Sequence, residues 1–170
     1  MRAFVTVGST KFDSLVQAVL SQPVIDTLRL KGYSKLVVQC GKSHIVGFAD
    51  SETSWTFETS GIKIEMWRFK PSLEEDCNAA DLVIGHAGSG TILDVLRKGK
   101  PLIIVPNPTL LDNHQEELAD ALSALGHLKA STVSNLSQTL LEFDPSTLAP
   151  FPPFDGSRFS RLLDEEMGFI

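Results

Sequence analysis

Five short runs rich in β-branched and apolar residues, at 4–7, 35–40, 62–67, 82–84 and 102–105, are separated in most cases by stretches of helical periodicity. That alternation restricts the chain more than any other feature. Strands joined through helices pair in parallel, because a parallel partner is reached only by a crossover long enough to hold a helix. The runs Leu82-Val83-Ile84 and Leu102-Ile103-Ile104-Val105 contain no polar residue, as expected of central strands covered on both sides. The pattern therefore predicts an α/β fold, a parallel sheet with helices on both faces. Ligands of such a sheet gather beyond the C-terminal ends of its strands.

The helical segments follow from the same periodicity. Leu15, Val16, Val19 and Leu20 share one face, and a second helix runs from Pro23 to about residue 31 and closes at Gly32. Further helices are expected over 72–80, 91–98, 113–125 and 136–143, the third ending at Gly126. Between 41 and 60 the pattern gives way to Gly, Ser, Thr and acidic residues, read as a loop with one short strand near 55–57. Four prolines within 145–156 mark the end of the compact fold. The expected organisation is one ligand-binding domain over 1–145 and a Pro-rich linker with a C-terminal docking segment over 146–170, where Phe159, Leu162 and Leu163 fall on one helical face.

Composition removes several function classes. A chain of 170 residues with 42% hydrophobic content fits one domain. The net charge of -6 and the absence of any long Lys/Arg run argue against nucleic acid. No eighteen apolar residues run together, so no membrane span is expected, and the N-terminal residues read as a strand rather than a signal peptide. Cys40 and Cys77 lack metal or redox spacing and read as buried, reduced thiols that suit the cytosol. His44, His86, His114 and His127 are too scattered for a metal site, so none is expected.

The chemistry concentrates where an apolar strand meets a helix, at Val83-Ile84-Gly85-His86-Ala87-Gly88-Ser89-Gly90-Thr91-Ile92-Leu93-Asp94. Gly88 and Gly90 remove side chains from a turn that anionic oxygens approach, and the following helix offers unpaired amides and its positive dipole end. Ser89 and Thr91 add hydroxyls as donors or caps. A plain strand-to-helix turn would use the glycines for geometry alone. Neither a P-loop nor the dinucleotide fingerprint matches this spacing, and there is no full Gly-x-Ser-x-Gly elbow.

Three further segments fall at ends of predicted strands. Gly8-Ser9-Thr10 follows the first and can face the same ligand as the glycine turn, or form an ordinary loop capped by Ser9, Thr10 or Asp13. Leu111-Asp112-Asn113-His114-Gln115 opens a helix after the strand at 102–105; its amide side chains suit sugar hydroxyls, while Asp112 suits a cap. Trp67-Arg68-Phe69-Lys70-Pro71 leaves a strand where backbone and ring can meet a planar base, or simply fill the core. Asp94, one helical turn beyond Gly90, is placed either to accept ribose hydroxyls or to sit in solvent near a helix N-terminus.

Taken together, these segments resemble the cytosolic catalytic subunit of the two-component UDP-N-acetylglucosamine transferase of the dolichol pathway. The resemblance is carried by Phe4-Val5-Thr6-Val7-Gly8-Ser9-Thr10, by Ala80-Asp81-Leu82-Val83-Ile84-Gly85-His86-Ala87-Gly88-Ser89-Gly90, by Lys98-Gly99-Lys100-Pro101-Leu102 and by Asn113-His114-Gln115. Pro152-Pro153, Phe159-Ser160 and Leu163-Asp164 look like the same family's tail. More distantly the chain is similar to the C-terminal half of MurG-type enzymes of glycosyltransferase family 28, which implies a Rossmann-like, donor-binding half of the GT-B architecture.

The resemblance implies inverting transfer of N-acetylglucosamine from UDP-N-acetylglucosamine to dolichyl-diphosphate-N-acetylglucosamine, without a cofactor. It also implies a membrane-anchored, acceptor-binding partner subunit that recruits this cytoplasmic chain to the cytosolic face of the endoplasmic reticulum. The implied donor-binding residues are Gly8, Ser9, Thr10, Phe69, Lys70, Ala87, Gly88, Ser89, Gly90, Thr91, Asp94, Asn113, His114 and Gln115. His86 and His114 stand as candidates for the base, which the partner can equally supply. Asp94 replaces the longer Glu of MurG-type relatives. The alternative is a nucleotide-sugar-binding regulatory module that performs no chemistry.

Overall fold

The computed structural model describes residues 1–49, 51–109 and 114–153, together with Asp155 and Met167. Among these residues the strands are β1 (Arg2–Thr6), β2 (Lys35–Gln39), β3 (Ser54–Thr59), β4 (Ile62–Trp67), β5 (Leu82–His86), β6 (Leu102–Val105) and β7 (Lys129–Ala130). The helices are α1 (Asp13–Val19), α2 (Gln22–Leu30), α3 (Glu74–Asn78), α4 (Ser89–Arg97), α5 (His114–Ala124) and α6 (Leu136–Glu142). The strands form one sheet in the order β3-β4-β2-β1-β5-β6-β7. Every pairing is parallel except β3 with β4.

That antiparallel edge modifies the all-parallel expectation, and its cause is local. Ser60 and Gly61 both take left-handed backbone angles, with φ of 49° and 75°. Two such residues make the tight hairpin turn whose twist matches that of the flanking strands. Thr59 consequently pairs with Ile62, and the short strand expected near 55–57 becomes a six-residue edge. Phe48 covers it, with ring centroids 5.5 Å from both Trp55 and Phe57. The two-residue β7, absent from the sequence reading, joins the opposite edge beside β6.

Side-chain alternation along β1 divides the core into two layers. Ala3, Val5 and Val7 pack with Leu15, Ile25 and Leu136 of α1, α2 and α6. Phe4 packs on the other face with Cys77, Val95 and Ala119 of α3, α4 and α5. β1 lies between β2 and β5, so the chain leaves it in one direction and returns on its other side. The loops after β1 and β5 therefore diverge from adjacent strand ends and leave a crevice between them.

Cys40 and Cys77 are buried free thiols, and burial raises the pKa of each. No helix among the described residues is long and apolar enough to cross a membrane. At the start of the Pro-rich stretch, the Ala149 amide donates to the Gly126 carbonyl at 2.9 Å, and Phe151 meets the His127 ring edge-on at 5.3 Å. Phe159, Leu162 and Leu163 lie outside the described residues.

A methyl group at Gly61 would meet none of the described residues within 4 Å, so backbone conformation is what opposes it. Gly61→Ala is expected to lower stability by about 1–2 kcal/mol, the penalty of the left-handed conformation for an L-residue. Urea unfolding checks this as a lower midpoint at unchanged slope.

Candidate functional site

The crevice is walled by two turns. After β1, Gly8 adopts φ of +62°, and its amide donates to Gln39 Oε1 at 2.8 Å and Thr6 Oγ1 at 3.2 Å. Thr10 closes the turn by donating its amide and hydroxyl to the Val7 carbonyl, at 3.3 and 2.7 Å. Ser9 is left exposed. After β5, buried Ala87 leads to Gly88, the N-cap of the nine-residue α4, which has no side-chain capping bond among the described residues. Ser89 and Gly90 are exposed, Thr91 is half-buried, and a methyl at Gly90 would meet none of the described residues within 4 Å. The opening amides of α4 have no side-chain cap among the described residues, and the positive end of the helix dipole lies there.

His86 connects the two turns. A Cβ on Gly88 would come within 2.4 Å of His86 Nε2, and one on Gly8 within 2.7 Å of Cε1. At Gly88 the expectation is a backbone that anionic oxygens approach without a Cβ in the way. In the structure the imidazole takes up the space its side chain would need, and Gly90 alone of the two is open. His86 is only 7% exposed. Burial lowers its pKa from 6.5, the Thr6 backbone partly opposing the shift. The ring is therefore neutral at pH 7.

On the β4 side, Arg68 donates to the carbonyls of Glu52 and Ser43, both at 3.0 Å, and lies over the Trp55 ring at 5.4 Å. Lys70 pairs with Asp76 at 2.8 Å and rests 4.3 Å above the centre of Trp67. Asp76 is buried and also pairs with Arg2. Between these anchored side chains the Phe69 ring stands 56% exposed. Asp94 is exposed on α4.

Beyond β6, buried Asn107 donates to the Lys11 carbonyl at 3.1 Å, tying this loop to the one after β1. Its amide donates to Gln115 Oε1 at 3.2 Å, so the Gln115 carbonyl braces the loop from α5. His114 opens α5; its side chain, with Asp112 and Asn113, falls outside the description. A cavity of about 700 Å³ adjoins the Gly8 turn, lined by Ser9, Thr10, Phe12, Lys42, Asn107 and Thr109 among others. A second, of about 680 Å³, lies between α5 and the loop after β7.

Gly8 and Gly88 thus meet at the His86 ring, and the loop carrying Phe69 and Lys70 joins the Gly8 turn through a residue the sequence reading passed over. Gln39 is 2% exposed and donates to the carbonyls of Gly8 at 2.8 Å and Arg68 at 2.9 Å. It and Asn107 carried one signal each: a polar residue ending an apolar strand, and a polar residue between two prolines.

A sheet wound in both directions from β1, with glycine turns at the reversal, has the Rossmann-like architecture of the C-terminal half of a GT-B glycosyltransferase. The chain belongs to glycosyltransferase family 28, whose C-terminal domain matches residues 2–165. The UDP-N-acetylglucosamine transferase subunit ALG13 of Cryptococcus neoformans is 35% identical over 191 residues, covering 97% of this chain and 96% of that relative. The mouse protein of the same name is 45% identical over 136 residues; the match covers 80% of this chain and only 11% of the mouse protein. The solution structure of ALG13 superposes with a TM-score of 0.69 at 29% identity, covering 95% and 94% of the two chains. MurG of Acinetobacter baumannii, at 22% identity and a TM-score of 0.60, shares the fold over 86% of this chain and 42% of its own.

Two predictions separate the glycines and the histidine. Gly88→Ala forces the buried ring to move and is expected to lower stability by about 1–3 kcal/mol, as overpacking does. Gly90→Ala is expected to leave stability unchanged or raise it by up to about 1 kcal/mol; parallel urea titrations check the pair. As pH falls below 6.5, the unfolded chain takes up a proton that folded His86 resists, so stability falls through this window. His86→Asn is expected to flatten that part of the stability profile between pH 7 and 5.5.

Proposed function

We propose that this chain is the donor-binding, catalytic subunit of an N-acetylglucosaminyltransferase using UDP-N-acetylglucosamine. The observation that carries the reading is the N-terminus of α4, which no described side chain caps and where Ser89 and Gly90 are exposed, beside the Gly8 turn at the point where the sheet reverses. Unpaired amides and a helix dipole there stabilise the diphosphate and the charge that develops as UDP departs. The name of the ALG13 relatives, a UDP-N-acetylglucosamine transferase subunit, supports the donor and the need for a partner.

In this reading Gly8, Ser9 and Thr10 face Ala87, Gly88, Ser89, Gly90 and Thr91 across the diphosphate. The backbone at Phe69 and Lys70 meets uracil, Asp94 the ribose, and Asn113, His114 and Gln115 the sugar. A base removes the acceptor hydroxyl proton as that oxygen attacks the anomeric carbon from the side opposite UDP, inverting the centre. His86, neutral at pH 7, and His114 are the candidates on this chain. The acceptor is dolichyl-diphosphate-N-acetylglucosamine, held by a membrane-anchored partner at the cytosolic face of the endoplasmic reticulum. The segment 146–170 serves docking.

Transfer from UDP-N-acetylglucosamine to the lipid acceptor, assayed with and without the membrane subunit, tests this. Product is expected only from the pair. Full activity of the isolated chain would remove the partner requirement; donor binding with no product from the pair would favour a binding module.

A further inference from the structure

The geometry points to Gln39 as a positioning residue that fixes the spacing between the diphosphate turn and the base-binding loop. Its side-chain amide uses its full hydrogen-bonding capacity. Oε1 accepts from Thr6 Oγ1 at 2.6 Å and the Gly8 amide at 2.8 Å, and Nε2 donates to the carbonyls of Gly8 at 2.8 Å and Arg68 at 2.9 Å. The backbone partners fix which end is oxygen, since the Gly8 amide needs an acceptor and the two carbonyls need donors.

The position in the sheet explains why one side chain reaches both loops. Gln39 ends β2, paired with Thr6 of β1 on one side and Trp67 of β4 on the other. The next residues outward are the Gly8 turn and Arg68, which leads directly to Phe69 and Lys70. Far-side anchors leave this joint as the common reference. Arg68 is held by Glu52 and Ser43, and Lys70 by Asp76. Near the other end of the crevice, the His86 ring sets the distance from Gly8 to Gly88.

A ligand containing both a base and a diphosphate senses that spacing; a ligand containing only one does not. Linking two fragments converts the second contact into an intramolecular one, an advantage that disappears when the two sites no longer match the linkage. Gln39 therefore acts on the joined nucleotide without touching it. The inference rests on the proposed nucleotide reading of the crevice.

The test is binding of UDP, uridine and inorganic diphosphate to the full chain, measured by calorimetry or by ligand-observed NMR for the weaker fragments. Gln39→Met keeps shape and removes the four hydrogen bonds. It is expected to weaken UDP at least about tenfold, as a small misplacement of a joined ligand does, while uridine and diphosphate each change by less than about threefold. Gln39→Glu, which lacks donors until protonated, provides the same readout should the Met variant not fold: its UDP affinity is expected to recover on acidification more than wild type's does. UDP affinity unchanged in both variants, or equal losses for all three ligands, overturns the positioning role while leaving the nucleotide reading intact. Wild-type chain that binds no UDP overturns both.

Discussion

The imidazole of His86 lies against two glycines from different turns, and the crevice at the top of the sheet takes its shape from that contact. A side chain on Gly8 or Gly88 would occupy the ring's volume, at 2.7 and 2.4 Å. The contact is available because β1 and β5 pair in parallel, Thr6 opposite Gly85, which brings their ends to one level. It also needs an uncharged ring, which burial ensures. Packing, backbone conformation and protonation state are therefore coupled at one residue.

From that joint the remaining parts of the site can be built outward. Gln39 carries the geometry from Gly8 to Arg68, and Asn107 carries it from the loop after β6 to Lys11. Gly41 belongs to the same arrangement: its Cβ would lie 2.7 Å from the Gly8 carbonyl. The loops therefore hold each other through buried polar contacts. Such contacts give a binding site rigidity at the cost of tolerating few substitutions, because each partner left unsatisfied is penalised.

The sequence made the scaffold legible because its strands are short, apolar and separated by helices with clear faces. β1, β2, β4, β5 and β6 all fall where hydrophobic runs placed them, within a residue or two at their ends. β3 was only partly visible, because the polar loop before it hides the register that Ser60 and Gly61 determine. β7 has two residues, too few for any period. The glycine turn is legible, yet the contact between Gly88 and the His86 ring is not, since that neighbour in space is a side chain two residues back whose direction depends on the fold. Gln39 and Asn107 escaped for the same reason: their partners lie 31 and 96 residues away, and no local pattern encodes such pairs.

Family 28 membership rests on residues 2–165, whereas the assignment of ligand to crevice rests on the opening amides of α4 beside the Gly8 turn. Mapping backbone amide shifts during titration with UDP-N-acetylglucosamine tests that assignment most directly. Saturable shifts are expected at Gly8, Ser9, Ser89 and Gly90, accompanied by Phe69. Shifts confined to the cavity at Ser131, Thr132 and Asn135, with those amides unmoved, would contradict it.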